Sequence, residues 1–319
     1  MRRWIPIFVA AALFLPACHG GTAPQAAPAL VAQHDTLMPA AELPLPDVPA
    51  TLREPAERAA FIIGHFWDAM DFGDTLRSRD AAFMEQNFSN FISVFPYAAA
   101  EAQRAAVGSL LRRAEADSDA YVLLANIAEK YLYEPNSPML AEDVYILFLE
   151  ELVCSPLLGD ATVRLRWQLE AARKNRPGMT AADFPFTTRS GRRSTLRRTA
   201  ADAPRLLLLF YDPECDHCHE VMADLQQDRF LQRLVADKQL SVLALYSGDD
   251  RDHWQSDAAT LPALWTVGYE TGTLQENGSY VLRAMPTLYL LDRDSKVVVK
   301  DVQPAQLLRY LEAGQGEEP

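Results

Sequence analysis

Between about Leu52 and Arg173 the apolar positions recur every third or fourth residue. Ala60, Ile63, Phe66, Trp67 and Met70 form one stripe; Phe83, Phe88, Phe91, Ile92 and Phe95, with Asn87 among them, form another. That period places apolar side chains on one face of an α-helix, to be buried against neighbouring helices. The same spacing predicts helices over about 99–115, 118–133, 139–153 and 161–174. Breaks fall at Pro96, at Pro135-Asn136-Ser137-Pro138, and at Ser155-Pro156 before Gly159, since proline lacks an N–H donor and glycine tolerates non-helical backbone. About five or six helices packed as a bundle are expected, and the lack of a fixed repeat argues against a solenoid. The aromatic stripes read as core. His65-Phe66-Trp67-Asp68 with Asp71, Asp74 and Thr75 contains metal-ligating residue types, but a hydrogen-bonded core histidine and a helix cap at Asp74 or Thr75 account for it as well. Tyr131 to Pro138 reads as a helix end and turn, and Cys154 as a small hydrophobe near the end of an apolar helix.

After Arg173 the period changes. Asn175-Arg176-Pro177-Gly178 ends the helical region, and extended segments on either side of Ser190-Gly191 predict a β-hairpin. Arg205-Leu206-Leu207-Leu208-Leu209-Phe210-Tyr211 is a continuous apolar run, the mark of a strand buried on both faces. It leads into Asp212-Pro213-Glu214-Cys215-Asp216-His217-Cys218, and helical spacing follows from His219 to Leu234. Strands are expected over Ser241 to Tyr246, Pro286 to Asp292 and Lys296 to Asp301, with a last helix over Gln303 to Leu311. The stretch between Tyr246 and Pro286 reads as an insertion.

The N-terminus follows neither pattern. Arg2 and Arg3 precede an apolar run from Ile5 to Leu15, which ends in Leu15-Pro16-Ala17-Cys18. A positive start and an apolar run of this length form an export signal, and the run falls short of the about 20 residues of a spanning helix. Leu15-Pro16-Ala17-Cys18 resembles a bacterial lipobox, which implies lipidation of Cys18 and a mature chain beginning there. A plain secretory peptide cut near Ala17 is the alternative. No Asp or Glu lies in the first mature positions, which points to the outer membrane. Several acyl chains on one cysteine anchor a protein far better than a single chain, so the expected location is the periplasmic side of a bacterial membrane. The proline- and alanine-rich stretch that follows reads as a flexible tether. The 319 residues are 49% hydrophobic and 23% charged, a globular balance that suggests about two domains. A net charge of −13 argues against a nucleic-acid partner. The basic cluster Arg189, Arg192, Arg193, Arg197 and Arg198 reads as a solvated hairpin surface.

Cys215 and Cys218 admit three chemistries. Zinc usually takes two separated ligand pairs, and no second Cys-x-x-Cys exists. Cys215-x-x-Cys218-His219 satisfies the haem-attachment spacing, without a haem-burying context around it. Only a redox dithiol uses the placement between a buried strand and a helix. There Cys215 sits at the helix start, where free N–H groups and the helix dipole stabilise a thiolate. Cys218, about one turn on, is placed to resolve the mixed disulfide that Cys215 forms. His217 favours the thiolate, whereas Asp216, Asp212 and Glu214 oppose it. This chemistry calls for no cofactor and no metal.

The segment from about Met179 to Leu311 resembles a TlpA-like member of the thioredoxin superfamily, the membrane-tethered thiol-disulfide oxidoreductases. The hairpin, Phe210-Tyr211-Asp212-Pro213-Glu214-Cys215-Asp216-His217-Cys218, and Met285-Pro286-Thr287 carry the likeness. The resemblance implies a cis peptide before Pro286 facing the dithiol, with Met285 beside it contacting substrate backbone. Many thioredoxins carry an acid in the strand six residues before the first cysteine; here that residue is Leu209, so a proton relay falls to Glu270 or a water. The helical half resembles an uncharacterised domain that precedes thioredoxin-like domains in bacterial lipoproteins. His65-x-Trp67-Asp68-x-x-Asp71-Phe72, Tyr131-Leu132-Tyr133 and Asn136-Ser137-Pro138 carry that likeness.

The expected fold is an α+β two-domain chain, an all-α bundle followed by an α/β thioredoxin-like domain. Its parts are a lipoprotein signal peptide at 1–18, a flexible linker at 19–51, a helical domain at 52–175 and the thioredoxin-like domain at 176–319. Two functions stay open. One is a membrane-anchored oxidoreductase acting on thiols or disulfides of exported proteins, fed by a membrane redox donor. The other is a lipoprotein that binds a ligand or partner, with the thioredoxin fold as scaffold. An accessible Cys215 with a shielded Cys218 favours the first.

Overall fold

The computed structural model describes residues 42–313. The signal segment, Cys18 and most of the expected tether lie outside the described residues. Seven α-helices make up the first half of the described residues: α1 (Pro55–His65), α2 (Thr75–Ser78), α3 (Ala81–Ser93), α4 (Ala100–Ala114), α5 (Ser118–Leu132), α6 (Glu142–Leu152) and α7 (Ala161–Ala172). Aspartates set several starts. Asp74 accepts from Leu76 N–H, Asp80 from Ala82 and Phe83, and Asp117 from Ala120, satisfying first-turn donors that have no partner within the helix.

The first apolar stripe is not one helix. After α1 the chain turns, with Asp68 N–H donating to His65 and Met70 N–H to Trp67. These turns still deliver Phe66, Trp67, Met70 and Phe72 to the core, against Phe88, Phe91 and Phe148. Three expectations need correction here. His65 is half exposed rather than in the core, and its Nδ1 lies 2.7 Å from Asp68, which also pairs with Arg113. Cys154 is exposed on the turn after α6. The last residues of the expected tether are held: Leu43 is buried and its N–H donates to Asn87 Oδ1 at 2.8 Å.

The second half comprises β1 (Pro185–Thr188), β2 (Arg193–Thr195), α8 (Leu196–Ala200), β3 (Arg205–Phe210), α9 (Asp216–Gln227), α10 (Arg229–Ala236), β4 (Leu240–Ser247), α11 (Arg251–Ala258), β5 (Thr266–Glu270), α12 (Thr273–Glu276), β6 (Thr287–Asp292), β7 (Val297–Lys300) and α13 (Pro304–Ala313). The strands form one mixed sheet, ordered β2-β1-β5-β4-β3-β6-β7. β3, β4 and β5 run parallel, while β6 is antiparallel to β3 and β1 is antiparallel to β5. The two-residue period of a strand divides the apolar run. Leu207, Leu209 and Tyr211 join the core beneath α9, α11 and α13, whereas Leu206, Leu208 and Phe210 join the core beneath α8 and α12.

The stretch read as an insertion holds α11 and β5, and β5 joins the sheet between β4 and β1. The helix expected over His219 to Leu234 is broken at Asp228, which caps α10 by accepting from Leu231 N–H. Arg189 is not a solvated hairpin residue. Its guanidinium donates to the carbonyls of Ala258, Leu261, Pro262, Ala263 and Trp265 at 2.7–3.2 Å, fastening the hairpin to the loop before β5.

The two halves are joined by polar contacts. Asn175 takes a left-handed conformation with φ of 50°; its Nδ2 donates to Ser279 O at 2.8 Å, and its Oδ1 accepts from Ala182 N–H at 3.0 Å. Lys174 Nζ donates to Gly278 O at 2.6 Å. Lys300 on β7 pairs with Glu142 on α6.

Candidate functional site

The chain leaves β3 through a turn in which Asp212 O accepts Cys215 N–H at 3.1 Å and Asp212 Oδ1 accepts Glu214 N–H at 2.8 Å. This turn sets Cys215 as the N-cap of α9, where its sulfur accepts Cys218 N–H at 3.2 Å. The sulfur thus satisfies one of the donors that a helix start leaves without a partner. On its other side Cys215 Sγ lies 3.8 Å from Met285 O, to which the thiol donates. The Met285–Pro286 peptide is cis. Register explains why these segments meet: Phe210 at the end of β3 pairs with Thr287 at the start of β6, so the residues beyond each strand end face one another.

Both thiols are free. Cys215 is partly exposed and Cys218 fully buried. Burial, reinforced by the Cys215 sulfur, pushes the Cys218 thiol up to about 12. Asp216 is exposed in the first turn of α9. His217 is exposed, with Nδ1 3.6 Å from Glu220, and with Val221 it borders a hollow beside Met285 and Pro286. His219 Nε2 lies 3.3 Å from Asp257 Oδ1. Among the described residues no group of three or more His, Cys, Asp or Glu is placed to hold a metal ion.

Glu270 does not take the place of the strand acid that Leu209 replaces. Its carboxylate accepts from Ser247 Oγ at 2.7 Å and from the N–H groups of Gly272 and Thr273, both at 3.0 Å. Burial raises its pKa, but hydrogen bonds from the Thr273 hydroxyl, the Ser247 hydroxyl and the Thr273 N–H outweigh burial and hold the carboxyl below its usual value. It is a cap for α12. Two other residues were missed from sequence. Asp257, 13% exposed on α11, faces Tyr211, whose hydroxyl is pushed above its usual value by burial and then by this carboxylate. Arg283 precedes Met285 by two positions. It donates to Tyr133 O at 2.7 Å, lies 4.1 Å over the Tyr133 ring, and pairs with Asp301 and Glu142. Burial pushes Glu142 up, against the pull of Lys300 and Arg283. The helical half therefore grips the loop that faces the dithiol, and no local pattern around Arg283 announces it.

A dithiol whose first cysteine caps the helix after a central strand, facing a cis-proline loop on a mixed sheet covered on both sides, defines a thioredoxin-like protein. A domain of unknown function (DUF5106) matches residues 21–175, and a thioredoxin-like domain matches residues 193–315. A thioredoxin-like protein of known crystal structure from Bacteroides caccae is 33% identical over 85% of this chain and 98% of its own, with a TM-score of 0.78. A conserved protein of unknown function from Bacteroides fragilis is 35% identical over 43% of this chain and 98% of its own, with a TM-score of 0.41. The thioredoxin domain of a thiol-disulfide oxidoreductase from Bacteroides vulgatus is 18% identical over 43% of this chain and 96% of its own, with a TM-score of 0.37. No curated protein matches. The chain belongs to the family of thioredoxin-like proteins, with a DUF5106 region preceding the thioredoxin-like domain.

Proposed function

We propose that the protein is a TlpA-like thiol-disulfide oxidoreductase that acts on exported polypeptides while anchored to a membrane through Cys18. The observation that carries the redox reading is the asymmetry of the dithiol: Cys215 is partly exposed, caps α9 and faces the Met285 carbonyl, whereas Cys218 is buried directly behind it. A scaffold that only bound a ligand would have no need of that arrangement.

In the reductive direction Cys215, as thiolate, attacks one sulfur of a substrate disulfide. A Cys215–substrate disulfide forms, and the second substrate sulfur leaves and takes a proton. Cys218 then loses its proton and attacks Cys215 Sγ, releasing the first substrate thiol and closing the Cys215–Cys218 disulfide. Two electrons pass to the substrate, and a membrane dithiol donor restores the pair. Part of what raises Cys218 is the Cys215 sulfur itself, and that contribution lapses once this sulfur is tied in a mixed disulfide. Met285 and Pro286 serve as the opposite wall for substrate backbone, and Asp216 and His217 adjust the charge around Cys215.

In an insulin-reduction assay the full chain should be active, and both Cys215→Ser and Cys218→Ser should lose at least a hundredfold. Cys218→Ser should accumulate mixed disulfides with exported proteins, and Cys215→Ser should not. Equal trapping by the two variants would refute the assignment of roles. Lipidation is tested separately by mass spectrometry of the native N-terminus, where an unmodified Cys18 or cleavage elsewhere would remove the anchor from the proposal.

A further inference from the structure

The helical half does more than hold the Met285–Pro286 loop. Between the turn after α5 and the edge of the sheet lies a cleft of about 810 Å³. One wall is Pro135 to Pro138 with Leu140; the other is Val299 to Gln303 with Gln306 and Tyr310 of α13. A smaller hollow of about 190 Å³ shares Pro135, Asn136, Leu140 and Gln303 with the cleft and extends to His217, Met285 and Pro286. The two are one groove, and its inner end is the loop whose carbonyl lies 3.8 Å from Cys215 Sγ.

Its chemistry narrows the occupant. The charged groups in its floor are consumed by one another, Arg283 with Asp301 and Glu142, and Lys300 with Glu142. A phosphate or another compact ion finds no uncompensated partner among these four. Beyond these four, the lining holds Arg309 and Asp143, which pairs with Arg176, then carboxamide from Asn136, Gln303 and Gln306, and apolar surface from Leu140, Val302 and Tyr310. Carboxamides both donate and accept, as peptide groups do, and the apolar surface suits side chains. The outer edge of β7 is already paired at Val297 with Gly178 and Met179, so the groove offers its side chains, Val299 and Lys300 among them, to a bound chain. A small thiol compound would fill only the inner hollow; the outer cleft has the size of a site for a longer ligand.

We infer that this groove is a polypeptide-binding subsite, in which an extended, unfolded segment next to the reacting cysteine lies between the Pro135–Leu140 turn and α13, so that the helical half selects the substrate. The inference rests on the oxidoreductase reading for its role, and two experiments separate the two. The first compares kcat/KM for a polypeptide disulfide, insulin, with kcat/KM for 2-hydroxyethyl disulfide. Asn136→Trp and Gln306→Trp, which fill the groove from opposite walls, should each lower the insulin-to-small-disulfide ratio at least tenfold, mainly through KM. Trp167→Ala, at an exposed site on α7, should leave the ratio as it was. An unchanged ratio in both groove variants overturns the inference. The second experiment needs no redox activity. Hydrogen exchange of the full chain with reduced, carboxymethylated lactalbumin, whose thiols are blocked, should show protection at 133–140 and 303–313. Protection confined to 283–287, or none, overturns the inference. A parent chain inactive on both disulfides would end the oxidoreductase reading and leave the exchange experiment to decide this one.

Discussion

Burial and the adjacent Cys215 sulfur push the Cys218 thiol up to about 12, against an ordinary cysteine value of about 8.5. Between those two values the folded, reduced protein keeps a proton that the unfolded chain gives up. This contribution to stability is therefore fully present below about pH 8.5 and is lost as pH rises toward about 12. Two outcomes follow for the native reduced protein. Iodoacetamide at neutral to mildly alkaline pH should modify Cys215 and spare Cys218, whereas in urea both should react. Denaturation of wild type and Cys218→Ala across an alkaline pH series should show the wild type losing stability faster. Peptide mapping that finds equal labelling of the two thiols in native protein would contradict the burial argument.

Among the elements, β5 shows why a strand can be present and unannounced. It is short, Thr266–Glu270, and carries Gly268 at its centre, a residue that weakens a strand pattern. The glycine is required by packing: a Cβ there would lie 2.6 Å from the Phe186 ring of β1 and 3.0 Å from Leu245 of β4. Gly268→Ala should overpack this contact and cost about 1–3 kcal/mol, measured as a lower urea midpoint with unchanged slope. The break between α9 and α10 is local. Asp228 caps α10 through Leu231 N–H at 2.8 Å, and Asp228→Ala should cost about 1 kcal/mol. Asp228→Asn should cost less, since its amide oxygen can still accept.

For the molecule as a whole, the junction at Arg283 is the point where the halves depend on each other. Its side chain is 12% exposed and meets Glu142, Asp301 and the Tyr133 carbonyl. Removing one partner from such a cluster strands buried charge, at a cost of about 3–5 kcal/mol. Arg283→Ala should therefore lower the melting temperature and also slow insulin reduction, because the loop carrying Met285 and Pro286 loses its hold on the helical half. A substitution that lowers stability without changing the polypeptide-to-small-disulfide ratio would confine Arg283 to a structural role. Limited proteolysis should spare the chain around Leu43, which is buried and bonded to Asn87. Early cuts between residues 55 and 172 would contradict the packed helices seen there.

Local pattern carried much of this fold. Three- and four-residue spacing placed the helices, a continuous apolar run placed β3, and proline and glycine placed most of the breaks, because each depends on residues near one another in the chain. The position of Cys215 and Cys218 between a buried strand and a helix was legible for the same reason. What only the tertiary structure decided depends on residues far apart. The carbonyls that hold Arg189 are 69 to 76 positions away, and Arg283 reaches Tyr133 across 150 positions. Glu270 is held by Ser247, 23 positions away, a meeting set by the pairing of β4 with β5. The groove beside the dithiol exists because a turn of the helical half lies against the edge of the sheet. Periodicity records which face a residue presents, whereas docking records what that face meets, and only the second brings the helical half to the dithiol.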